Sequence, residues 1–173
     1  MKMKKVIYCL MALLLVVSSS CEKEKTDYVQ KVVGNYDVKI TPNLNVNYGN
    51  SSVPIYAETV ETNLSVTKKD DDGNVVVTVE NVNGLINELV FDAYCDGLGM
   101  KMENNHYEGV INTMQYGIVE CDINLKNPTV SIYNSGVLSW ESTVSGTCEI
   151  NISGLDNEIC NVSGNIRFEA AEK

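Results

Sequence analysis

This 173-residue chain has one histidine, one tryptophan, two phenylalanines, three prolines and a single arginine, Arg167. The lone histidine leaves little room for a nucleophile–histidine hydrolase, and among the 23 acidic residues no carboxylate pair stands out. A Ser/His/Asp or Cys/His centre would have to use His106, which follows Asn104-Asn105 with no nucleophile motif around it. It reads as a turn or strand-edge residue. No C-x-x-C pair is present and no histidine lies near a cysteine, so no zinc site is expected. Basic charge is also scarce, with 13 Lys+Arg against 23 Asp+Glu. Such a surface repels phosphate backbones, which excludes nucleic acid as a partner. Helical signal is missing too: no window sustains a 3.6-residue apolar period. The longest apolar run, Val6 to Val17, is shorter than the roughly 20 residues of a membrane-spanning helix.

That short run sits behind Lys2, Lys4 and Lys5 and ahead of Ser18-Ser19-Ser20-Cys21, the layout of a secretory leader. It resembles the signal of bacterial lipoproteins, in which the cysteine is lipidated and becomes the new N-terminus. Ser18 stands where that signal usually carries an aliphatic residue. The resemblance implies a signal peptide over 1–20, a lipidated Cys21 and a bacterial cell-envelope location, in the outer membrane, facing the periplasm or the cell surface. Acyl chains contribute about 0.8 kcal/mol per buried methylene, so two or more hold a soluble head at the bilayer. The leader takes its three lysines with it, so 10 basic residues then face 23 acidic ones, a formal charge of −13 against −10 for the whole chain. Residues 21–32, with alternating Glu and Lys at their start, read as a polar tether. A charged tract in this place resembles a surface-sorting signal and is equally a plain linker.

Past the tether the pattern has period 2. Tyr36, Val38 and Ile40 alternate with Asp37, Lys39 and Thr41; Leu44, Val46 and Tyr48 alternate with asparagines. Thr62, Leu64 and Val66 lead into Lys68 to Asn74, and Val75, Val77 and Val79 lead out. Asp72-Gly73 supplies a tight turn, so this is a hairpin. The three aspartates 70–72 lack the alternate ligand spacing and distant glutamate of an EF-hand loop, so they read as a solvated tip rather than a calcium site. Further strands are expected over 85–95, 98–103, 106–114, 117–126, 129–133, 137–152 and 158–170. Residues 33–173 therefore form a single all-β antiparallel domain, a barrel or a sandwich.

Cys9 leaves with the leader, and Cys95, Cys121, Cys148 and Cys160 remain in the domain. A short turn at Ser153-Gly154-Leu155 would set Cys148 opposite Cys160, and a one-residue slip would oppose apolar to polar positions. A Cys148–Cys160 disulfide is expected, worth about 3 kcal/mol for so short a loop. Cys95 and Cys121 are left as the second pair or as two buried free thiols. Twenty asparagines and nine tyrosines also invite a sugar-binding reading, with Trp140 as the stacking platform.

Two end motifs carry a family resemblance. Gly34-Asn35-Tyr36 opens the first strand, and Arg167 lies late in the last, in Gly164-Asn165-Ile166-Arg167-Phe168. The layout resembles the calycin-like, lipocalin-like domain of small bacterial envelope lipoproteins, which opens with a glycine and an aromatic two apart and sets a late arginine over that aromatic. The resemblance extends to the hairpin from Thr67-Lys68-Lys69-Asp70 and to Val144-Ser145-Gly146-Thr147. It implies an up-and-down β-barrel of about eight strands, closed at one end by Tyr36 and Arg167. The expected function is non-enzymatic and needs no cofactor or metal: the interior, lined by Val38, Leu64, Val77, Ile150 and Trp140, would hold a small apolar or amphipathic ligand. The alternative is a surface adhesion or glycan-binding β-sandwich, or a loop-presenting inhibitor or interaction module.

Overall fold

The computed structural model describes residues 28–48, 50–82, 86–96, 99–127, 129–130, 136–150 and 158–173. The leader, Cys21 and most of the tether lie outside them, as does the turn at 153–155. Eleven strands are described: β1 (Gly34–Tyr48), β2 (Ser51–Ile55), β3 (Val60–Lys68), β4 (Asn74–Val79), β5 (Leu89–Cys95), β6 (Met100–Met102), β7 (Asn105–Thr113), β8 (Gly117–Lys126), β9 (Thr129–Val130), β10 (Val137–Ile150) and β11 (Glu158–Glu172). They form one antiparallel sheet in the order β7-β8-β10-β11-β1-β3-β4-β5-β6-β9, with β2 on the flank of β1. The eight long strands other than β2, β6 and β9 follow chain order around the sheet, which closes from β11 back onto β1. The fold is an all-β, barrel-like, curled half-barrel.

β6 pairs with β5 only from Ala93 to Cys95, and the earlier part of β5 and the segment before it are stitched to the β7 side by side chains. Asn105 Nδ2 donates to the Val90 carbonyl at 2.7 Å, and Asn87 Nδ2 to that of Glu108 at 3.2 Å. A bridge between Ala57 and Thr113 covers the outer edge of β7. Free strand edges invite pairing with other chains, and these contacts cap one of them.

Alternation places one face inward on every long strand. Val38, Leu64, Val77 and Ile150, expected to face the interior, are buried there. The interior is not a lumen, however. Phe91 from β5 meets both Trp140 of β10 and Phe168 of β11 edge-on, with centroids 6.3 and 6.2 Å away, and so fills the space between opposite walls. Eight-stranded barrels are just wide enough for side chains to fill.

Pro42 sits inside β1 without breaking it, because β1 changes partner there. Gly34 to Ile40 pair with β3 and Leu44 to Tyr48 with β2, so the missing N–H falls between two ladders. Gly164 marks a close approach of β11 to β1. Its φ is 142°, and a Cβ there would lie 2.2 Å from the Asn43 carbonyl oxygen.

Residues 28–32 form a helical turn with Tyr28, Val29 and Val32 buried in the core, and the Tyr36 hydroxyl donates to the Val32 carbonyl at 2.7 Å. Tyr28, Val29 and Val32 fall at helical spacing, which lets this turn pack against the core.

Candidate functional site

The expected end-closing pair does not form. Tyr36 is fully buried at the start of β1, whereas Arg167 points outward opposite Thr41, is 60% exposed, and pairs with Glu169 at 2.7 Å. The strand pleat decides this: Arg167 is out of phase with the inward Ile166 and Phe168. The sugar platform fails for the same kind of reason. Trp140 is inward and 5% exposed, stacked on Phe168 with centroids 4.5 Å apart.

The cysteines are brought into the expected register but not the expected bonds. Cys148 stands opposite Cys160, and all four of Cys95, Cys121, Cys148 and Cys160 are buried free thiols. Cys95 cannot reach Cys121, because β5 and β8 are not neighbours; Cys95 pairs with Met100, while Cys121 lies opposite Cys148. The sequence reading missed this second neighbour of Cys148, because it fixed only the β10–β11 register.

His106 lies exposed on β7. Its Nε2 is 3.4 Å from Asp122 Oδ1 and its Nδ1 is 3.4 Å from Asn124 Oδ1, so both nitrogens face carboxylate or amide oxygens of β8 and neither faces a nucleophile. Among the described residues, no group of three or more His, Cys, Asp or Glu side chains could hold a metal ion.

Concave spaces are also present among the described residues. Inside the half-barrel, an apolar cleft runs between β1 and β11 on one side and β7 and β8 on the other. It is lined by Ile40, Val60, Ile111, Ile123 and Leu125 and reaches exposed Glu58, whose carboxylate accepts from Asn112 Nδ2 at 2.9 Å. Its volume is about 30 Å³, room for a couple of waters rather than a drug-sized molecule. Two larger hollows lie on the outer face. One, of about 480 Å³, crosses β7, β8 and β10 between Glu108, Glu120, Asp122 and Glu149. The other, of about 730 Å³, crosses β11, β1, β3 and the segment after β4, between Asp37, Lys39, Glu61, Asn63, Glu80 and Glu169. In the second, Asn63 Nδ2 donates to Glu80 Oε2 at 2.6 Å and Lys173 Nζ is 3.1 Å from Asp37 Oδ1.

No family model matches the chain, and no curated protein matches it.

Proposed function

We propose that this chain is a non-enzymatic, lipid-anchored envelope protein whose half-barrel is an interaction module working through its polar outer face. The observation that carries the reading is the contrast between the two sides of the sheet. The interior is occupied by Phe91, Trp140 and Phe168, while hollows of hundreds of cubic ångströms lie outside. The larger hollow offers carboxylates and an amide across neighbouring strands, a donor and acceptor set suited to the hydroxyls of a glycan. The calycin resemblance keeps the strand order in its favour and loses the Tyr36–Arg167 contact.

A second reading rests on the apolar cleft beside Glu58. An amphipathic ligand would place its tail among Ile40, Ile111 and Leu125 and its polar head at the carboxylate, with the cleft widening to admit it.

Glycan-array binding of the exported protein, run beside thermal shifts with fatty acids, separates the two. Array signal that falls at least tenfold in Asn63→Ala and Glu61→Ala supports the outer-face reading. A melting-temperature rise with a fatty acid, lost in Ile111→Trp, replaces it with the cleft reading. Neither response sinks both.

A further inference from the structure

Three of the four cysteines stand in a line across the sheet. Cys121 on β8 is opposite Cys148 on β10, and Cys148 is opposite Cys160 on β11. All three point inward and are 7%, 2% and 4% exposed. In an antiparallel sheet a residue exchanges backbone hydrogen bonds with one flanking partner and not the other. Its two cross-strand Cα distances are then about 5.5 and about 4.5 Å. Both fall within the roughly 4.4–6.8 Å that a disulfide spans. Cys121 and Cys160, two strands apart, are separated by roughly 9.5 Å and cannot be joined.

We propose that Cys121, Cys148 and Cys160 form a dithiol–disulfide site in which the central Cys148 is shared by two mutually exclusive bridges, one to each neighbour. The oxidant is an external disulfide. Cys148 and one neighbour give up two protons and two electrons, an S–S bond forms between them, and the external disulfide leaves as two thiols. The bridge can then move without further redox change. The third thiol, as thiolate, attacks the Cys148 sulfur, and the displaced cysteine leaves as thiolate and takes up a proton. One thiol of the line is therefore always left over, buried beside the bridge.

Two features bear on how the site rests. Burial pushes the Cys121 thiol up to about 12 and the Cys148 thiol up to about 11, with a smaller contribution from the adjacent cysteine in each case, so both rest protonated. Cys121 and Cys148 also border the outer hollow of about 480 Å³; Gly109 takes the next place in the row, where Asn87 and Tyr107 fill the room a side chain would need. Cys95, pushed up to about 11 mainly by burial, lies outside the row and serves as the internal control.

The test is peptide mapping of the exported protein after equilibration with oxidised glutathione, with free thiols blocked before digestion. Cys160→Ala should form a Cys121–Cys148 bridge, and Cys121→Ala a Cys148–Cys160 bridge, each losing two alkylatable thiols. Cys148→Ala should form no bridge within the row. A bridge in only one of the first two variants, or in neither, overturns the shared site; so does a Cys121–Cys160 bridge in the third. Far-UV circular dichroism checks each fold, and if Cys148→Ala does not fold the first two variants decide.

Discussion

Trp140 lies flat on Phe168, its cross-strand partner, with ring planes within 6° and centroids 4.5 Å apart. Phe91 closes on the pair from the opposite wall at 83° to each ring. Stacked and edge-on aromatic pairs add about 0.5–1.5 kcal/mol beyond the area they bury. These three rings hold the two walls of the half-barrel at a fixed separation, and they occupy the place where a carrier would hold its ligand.

Trp140→Ala should therefore cost about 3–5 kcal/mol of stability, as expected for removal of a large buried aromatic. Urea denaturation followed by circular dichroism measures it. A loss below about 1 kcal/mol, with glycan binding abolished, would return Trp140 to the role of a sugar platform.

Tyr36 and Arg167 should separate in the same assay. Tyr36→Phe removes a buried hydroxyl and leaves the Val32 carbonyl without its donor, at a cost of about 1 kcal/mol. Arg167→Ala removes an exposed partner of Glu169 and should stay within about 0.5 kcal/mol of wild type. If Arg167→Ala proves the more damaging, the arginine closes the barrel after all.

Much of this fold could be read from alternation, and the reason is visible strand by strand. Period 2 marked β8 at 117–126 and placed the starts of β10 and β11, because every second residue there is apolar and inward. The same pattern set Cys148 opposite Cys160, since only one register keeps both apolar faces together. It did not reveal β2, whose Ser51 to Pro54 are exposed and so carry no inward stripe. It also could not tell a filled interior from an open one. Inward residues are apolar in both cases, and the difference lies in whether Phe91 reaches across to Trp140. The Cys121–Cys148 neighbourhood was hidden because β8 and β10 are joined through β9, so no short turn fixes their register.

Gly164 tests how tightly the sheet must coil. Gly164→Ala would press a methyl group against the Asn43 carbonyl, 2.2 Å away, at a φ that residues with a Cβ rarely adopt. Strain of this kind costs of order 1–3 kcal/mol. Thermal denaturation should show a lower midpoint for this variant, and a smaller drop for Gly117→Ala, whose φ is 70° and whose Cβ meets open space. A midpoint equal to that of the wild type would mean that β11 relaxes freely away from Asn43.

Asp70 gives the hairpin tip a pH dependence of definite sign. Asn74 Nδ2 donates to its Oδ2 at 2.7 Å, and the backbone N–H groups of Asp72 and Asn74 donate to its Oδ1 at 2.9 and 3.1 Å. These bonds, the Asn74 side chain first, hold the carboxyl below its ordinary value. A depressed folded pKa means stability that is fully present above the unfolded value of about 3.9 and is lost as pH falls through the folded one. Wild type should therefore exceed Asp70→Ala in stability by a constant margin from pH 7 down to about 5, and the margin should shrink below about 4. Because both oxygens are already committed to N–H donors, calcium at about 1 mM should leave the melting temperature unchanged. A margin that grows in acid would show that the hydrogen bonds favour the protonated form, and a melting temperature raised by calcium would make the three aspartates a metal site.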